Sequence, residues 1–192
     1  MNIIKEELTK EIIVNKSKFI SLIFKVTDVS LINNYLDKVK QLFKNADHYC
    51  YAYRIDNNIK YSDDKEPIKT AGMPILSILE HQNINYVLCI VVRYFGGSKL
   101  GVGLLTRSYS KACREVVKNN IIIYNKKYTY KLNIPYTKIT SVDYLLKDYI
   151  INKCFENEII YTFQIENQND KLLSKLSSFG KLTFLEEKNN QI

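Results

Sequence analysis

Between Arg93 and Gly103 the chain reads Arg-Tyr-Phe-Gly-Gly-Ser-Lys-Leu-Gly-Val-Gly, directly after an apolar run and directly before a helical pattern. Glycines let the backbone enter φ > 0 and leave consecutive N–H groups bare. A bare turn feeding a helix N-terminus favours an anion, most often a phosphate. Arg93, Gly96, Gly97, Lys99 and Gly101 therefore form the candidate phosphate-binding set, with the two cations as counter-charge. The loop satisfies neither named nucleotide motif. No lysine follows Gly101 or Gly103 as a Walker A loop requires, and Thr106 stands where the dinucleotide fingerprint needs its third glycine. The alternative is a strand-to-helix turn that uses glycine for geometry alone.

Arg107, Lys111, Arg114 and Lys118 recur at spacings of four, three and four residues, which places them in one row on the helix that follows. Such a row suits a phosphate backbone; its plainer reading is a solvated face. Arg54, on a neighbouring strand, is added to the anion-binding set. Asp63, Asp64 and Glu66 form an acidic loop. Its carboxylates fit a Mg²⁺ site or acid–base work, but residues adjacent on a loop do not by themselves converge on one ion. The preferred reading is a turn in which Asp63 and Asp64 accept backbone N–H bonds and pair with Arg54 or Arg93. His48 and Cys50 share a strand face, yet i and i+2 side chains stand ~6.5–7 Å apart, too far for a nucleophile–base pair. Cys50 is assigned to packing and His48 to a bond with the acidic loop. Tyr94 and Phe95 lie beside basic residues and suit base stacking, with core packing as the preferred role. No catalytic residue, metal ligand or cofactor is assigned.

These residues need elements to hold them. Ile12–Val14 and Phe19–Val26 read as extended chain, followed by a helix that Ser30 caps and that carries Leu31, Tyr35, Val39, Leu42 and Phe43 at helical spacing. His48–Ile55 alternates as a strand, with Tyr49, Tyr51, Tyr53 and Ile55 on one face and His48, Cys50, Ala52 and Arg54 on the other. Ile59–Tyr61 pairs back through a turn at Asn57–Asn58. Pro74 opens a short helix. Tyr86–Tyr94 reads as a central strand covered on both faces, and Leu105, Tyr109, Ala112, Cys113, Val116 and Val117 as the buried stripe of the next helix. Beyond Tyr124 the order is strand Lys127–Ile134, helix 139–149, strands Ile151–Phe155 and Ile159–Glu166, helix 172–176 and strand Lys181–Leu185. This βαββαβ order is the ferredoxin-like arrangement. The fold class is α+β, with domains at 1–125 and 126–192.

The 192 residues are 46% hydrophobic and 25% charged, an ordinary globular composition. The longest apolar run, Val87–Val92, is far short of the ~20 residues of a spanning helix, and Met1–Lys10 has no signal-peptide pattern. Cys50, Cys89, Cys113 and Cys154 form no C-x-x-C pair and suit free thiols in a reducing, cytoplasmic setting. The net charge of +8 suggests a polyanionic partner. The excess lies in residues 1–125, with 18 basic against 12 acidic residues, while residues 126–192 have 10 against 8.

Four blocks carry a resemblance: Ala46–Arg54, Ser62–Pro67, Thr70–Leu76 and Arg93–Gly101, read as Ala-Asp-His-Tyr-Cys-Tyr-Ala-Tyr-Arg, Ser-Asp-Asp-Lys-Glu-Pro, Thr-Ala-Gly-Met-Pro-Ile-Leu and Arg-Tyr-Phe-Gly-Gly-Ser-Lys-Leu-Gly. Their order and spacing resemble the signature of the Impact/YigZ family, in its bacterial two-domain form. The resemblance implies a two-layer α/β sandwich for residues 1–125, similar to the second domain of a small-subunit ribosomal protein, with helices on one side of the sheet. It likens the small C-terminal domain to a terminal domain of elongation factor G. It further implies a role near translation, with RNA, the ribosome or a translation factor as partner. Eukaryotic members regulate the kinase of an initiation factor by competing for its activating protein. An enzyme acting on a small phosphorylated metabolite, with Asp63 or Asp64 as base, is the alternative. Members similar to this chain usually carry glycine where Lys65, Lys69 and Leu104 stand.

Overall fold

The computed structural model describes residues 1–166 and 170–191. The chain forms two compact units, Met1–Ile123 and Tyr124–Ile192. Among the described residues no helix is long and apolar enough to cross a membrane.

The first unit begins with a short strand β1 (Asn2–Ile4), then β2 (Leu8–Val14) and β3 (Ser17–Lys25), α1 (Ile32–Leu42), β4 (His48–Ile55), β5 (Asn58–Ser62), α2 (Gly72–His81), β6 (Val87–Tyr94) and α3 (Val102–Val117). The sheet runs β2-β3-β6-β4-β5, antiparallel throughout. The uninterrupted apolar run follows from β6 being central. Val87, Cys89 and Val91 enter the core beneath α2 and α3, while Leu88, Ile90 and Val92 enter a second core on the opposite face. All six are fully buried.

That second face is covered by α1, whose Ile32, Leu36 and Val39 recur at i, i+4 and i+7 and bury against it. The α+β class holds, and the expected two-layer packing is extended to three: the tyrosine-bearing face of β4 is too apolar to stay open, and α1 supplies its cover. The entry to α1 differs from expectation at Ser30. A 3₁₀ turn, Val29–Leu31, precedes the helix, and Asp28 caps it by accepting the Ser30 N–H at 2.8 Å.

Two hairpin turns fix the register. Asn15 and Lys16, at φ 45° and 63°, join β2 to β3 as a two-residue turn. The β4–β5 turn is Asp56–Asn57, one residue before the expected position, because Ile55 pairs with Asn58. On the α2/α3 face Phe19 meets Tyr109 edge-on at 5.2 Å, and Ser21 Oγ donates to the Ala112 carbonyl at 2.7 Å, tying β3 to α3. Truncating Tyr109 to alanine would cost ~3–5 kcal/mol by the cavity left.

The strand β7 (Ile121–Ile134) starts earlier than its polar pattern suggests, because Ile121–Ile123 pair with β1 inside the first unit. In the second unit it is followed by α4 (Ile139–Leu146), β8 (Ile150–Phe155), β9 (Ile159–Ile165), α5 (Asp170–Ser177) and β10 (Lys181–Gln191). The strand order β10-β7-β9-β8, all antiparallel, completes the βαββαβ arrangement. Tyr130, Leu132 and Ile134 alternate with solvent-side residues and meet Val142, Leu146 and Leu176.

Candidate functional site

The loop from Phe95 to Gly101 carries β6 into α3. Gly96 is required by packing. A Cβ there would lie 2.1 Å from the Lys16 carbonyl carbon and 2.2 Å from the Ser17 nitrogen, so the β2–β3 turn rests directly on it. Gly97 and Gly101 have open space around them and are required by conformation, at φ 85° and 71°. Two of the turn's amides are already engaged. Phe95 N–H donates to Asp47 Oδ2 at 2.7 Å and Gly96 N–H to Ser17 Oγ at 3.1 Å. Farther along, the α3 N-terminus is open: Gly101, its N-cap, offers no side chain, and the first intrahelical bond is that of Leu105 N–H to Gly101. Its first-turn amides therefore retain the partial positive charge of a helix start.

Lys99 is exposed beside this end, and so is Arg107, whose guanidinium reaches back to within 3.6 Å of where a Gly103 Cβ would stand. Lys111, Arg114 and Lys118 continue the line along α3, all exposed. Among the described residues none of these five cations has an ion-pair partner.

Arg93 faces inward. In the sheet it lies directly opposite Phe19 on one side and His48 on the other. Its Nη1 donates to Glu66 Oε1 at 2.5 Å, with both residues buried. Tyr109 Oη donates to the same oxygen at 2.7 Å, and His48 Nε2 lies 3.7 Å from it. The guanidinium lies between the Phe19 and Phe95 rings, 5.4 and 5.8 Å from their centroids. A carboxylate taken from water into this position is tolerable only because it is paired and hydrogen-bonded. His48 Nδ1 sits 2.8 Å from the Asp64 carbonyl, which only accepts, so Nδ1 carries a proton toward it and the ring is held with Nε2 on the Glu66 side.

The rest of the acidic loop is committed to backbone amides. Asp63 accepts from Lys69, Ala71 and Gly72 N–H at 2.8–3.0 Å, closing the start of α2, and Asp64 Oδ2 accepts from Tyr49 N–H at 2.7 Å. Lys65 and Lys69 adopt φ 68° and 63° in this loop. Cys50 donates to the Asp63 carbonyl, and burial pushes its thiol far above the ordinary range, which suits packing and not nucleophilic chemistry. Arg54 is not brought to the glycine turn. It stands at the other end of β4, where Nη1 donates to the carbonyls of Leu79 and Ile84 and closes the end of α2.

Buried Glu66 and Arg93, with half-buried His48 beside them, form the floor of a cleft of about 430 Å³. Asp47, Phe95 and Lys99 stand at its rim, and Leu100, Val102 and Leu105 form its apolar side. Sequence reasoning named Glu66, Arg93 and Lys99 but not the parts of Asp47 or Tyr109. Asp47, just ahead of a strand, gives no signal, and Tyr109 reads as one more apolar residue of the α3 stripe.

Residues 15–117 match the model of the Impact N-terminal domain. The chain is 31% identical to the IMPACT family member YvyE of Bacillus subtilis (strain 168), across 98% of this chain and 95% of that protein. It is 28% identical to the IMPACT family member YigZ of Escherichia coli (strain K12), over 69% of this chain and 68% of the relative. A solved structure described as that of a hypothetical protein superposes at a TM-score of 0.62 and 25% identity, over 96% of this chain and 95% of the other.

Proposed function

The chain belongs to the IMPACT family, and on that premise we propose that it serves translation as an accessory protein that binds RNA, free or within the ribosome, along the glycine turn and the exposed side of α3. The carrying observation is the line of exposed cations, Lys99, Arg107, Lys111, Arg114 and Lys118, that runs from the open N-terminus of α3 along its solvent face. From Arg107 to Lys118 the line is ~16 Å long at ~1.5 Å per residue, enough to follow several phosphates of one strand. Arg54 and Arg93, engaged elsewhere, hold the scaffold, and the phosphates fall to the α3 cations. Contacts of this kind position a nucleic acid without reading its sequence.

The test is equilibrium binding of a single-stranded RNA over a range of salt. With four phosphates neutralised, log K falls with log [salt] at a slope of about −3, and each cation of Arg107, Lys111, Arg114 or Lys118 replaced by glutamine reduces that slope by about 0.7. Absence of binding at low salt, or a slope indifferent to these substitutions, overturns the reading.

A further inference from the structure

The cleft beside the basic line has a floor and a rim of different chemistry. On its floor, Glu66 uses Oε1 for Arg93 and Tyr109, and Oε2 carries none of these bonds. His48, held by the Asp64 carbonyl, turns Nε2 toward the same carboxylate. Behind them Arg93 Nε is a buried donor with no acceptor among the described residues. The floor thus keeps a carboxylate oxygen, Glu66 Oε2, outside the Arg93 and Tyr109 bonds, an acceptor for the N–H edge of a nucleobase. At the rim Phe95 is 47% exposed, an aromatic face backed by the Arg93 guanidinium. A ring so placed is costly to leave in water and is stiffened for stacking. Beside it stand Lys99 and the uncapped first turn of α3, which suit a phosphate. The volume of about 430 Å³ lies within the ~300–1,000 Å³ usual for small-ligand clefts.

We infer that this cleft takes one unstacked nucleotide of a single-stranded RNA, with the base against Phe95, its edge toward Glu66 and His48, and its phosphate at Lys99 and the α3 N-terminus. The inference rests on the RNA-binding reading and sharpens it: the partner is single-stranded, because a paired and stacked base cannot enter.

The experiment compares a labelled single-stranded RNA octamer, the same sequence as a duplex, and an all-abasic analogue of equal length and charge, each against wild type, Phe95→Ala and Lys111→Gln/Arg114→Gln. Base stacking is expected to give the single strand about a tenfold advantage over both the duplex and the abasic analogue. Phe95→Ala removes that advantage and leaves abasic binding unchanged, whereas the α3 double variant weakens all three ligands alike. Phe95 is half exposed, so an unchanged melting temperature shows that the variant is folded. Equal binding of intact and abasic strands, or no effect of Phe95→Ala while the α3 variant still loses affinity, overturns the nucleotide cleft and leaves RNA binding standing. Failure of every oligonucleotide to bind at low salt overturns both.

Discussion

Arg93 Nη1 lies 2.5 Å from Glu66 Oε1, and only 7% and 4% of the two side chains are exposed. The pair joins the central strand to the acidic loop, and Tyr109 extends it to α3, so three elements meet on one carboxylate oxygen.

Removing one partner strands the other's charge in the interior. Arg93→Met is expected to lose ~3–5 kcal/mol, and Arg93→Met with Glu66→Leu to regain much of it, since two apolar residues carry no unpaired charge. Urea denaturation of the single and double variants measures this. A single variant that loses under 1 kcal/mol would show that the charge finds solvent.

The glycines of the turn separate by mechanism. Gly96→Ala forces a Cβ into the backbone of the Lys16–Ser17 turn and should cost about 3 kcal/mol or more. Gly97→Ala meets open space and bears only the left-handed penalty of ~1–2 kcal/mol. Equal losses in melts of the two would contradict the packing role of Gly96.

Lys65 and Lys69 hold glycine-type backbone angles with full side chains. Glycine at either position relieves ~1–2 kcal/mol of left-handed strain and gives back ~0.5–1 kcal/mol through a freer unfolded chain. Lys65→Gly and Lys69→Gly should each stabilise the first unit by about 0.5–1 kcal/mol. A clear loss on thermal unfolding would mean that the lysine side chains hold the loop.

In the second unit Asp143 accepts from Lys153 Nζ at 2.7 Å and from Tyr161 Oη at 2.6 Å. Burial raises its carboxyl, and the Lys153 and Tyr161 bonds outweigh that and hold it below the ordinary value. A depressed carboxyl stabilises the fold above its unfolded value near 4 and loses that contribution as pH falls through the folded one. Asp143→Asn should therefore cost about 1 kcal/mol at pH 7, the scale of a partly exposed pair. The gap from wild type should close in the acid limb below pH ~4. A gap that stays constant down to pH 2.5 in denaturant titrations would remove the charge from the account.

Much of this arrangement was legible in the sequence. The run Val87–Val92 reads as a covered central strand because it lacks alternation, and the apolar and basic residues of α3 separate cleanly at helical spacing. Arg93 reads two ways, as a phosphate cation and as a partner of Asp63 or Asp64. The carboxylate that pairs with it is Glu66, which becomes evident only when the β4–β6 register sets His48 opposite Arg93 and Asp63 and Asp64 turn to backbone amides. Arg54 was placed on the correct face of its strand, but periodicity says nothing of which end of the sheet that face position occupies. Tyr109 carries two roles, an apolar ring against Phe19 and a hydroxyl on Glu66, and spacing reveals only the first.

The strand order β2-β3-β6-β4-β5 has a consequence for how the chain is made. The two outer hairpins are synthesised first and in the sheet each pairs with β6 between them, so each keeps a bare inner edge until residue 94 has emerged. The segment that closes the gap, Val-Leu-Cys-Ile-Val-Val, has no charge and no proline, which is the composition of a self-pairing strand. The nascent protein is thus most prone to clumping just before its centre is filled, and dilution should raise refolding yield more than any added ligand.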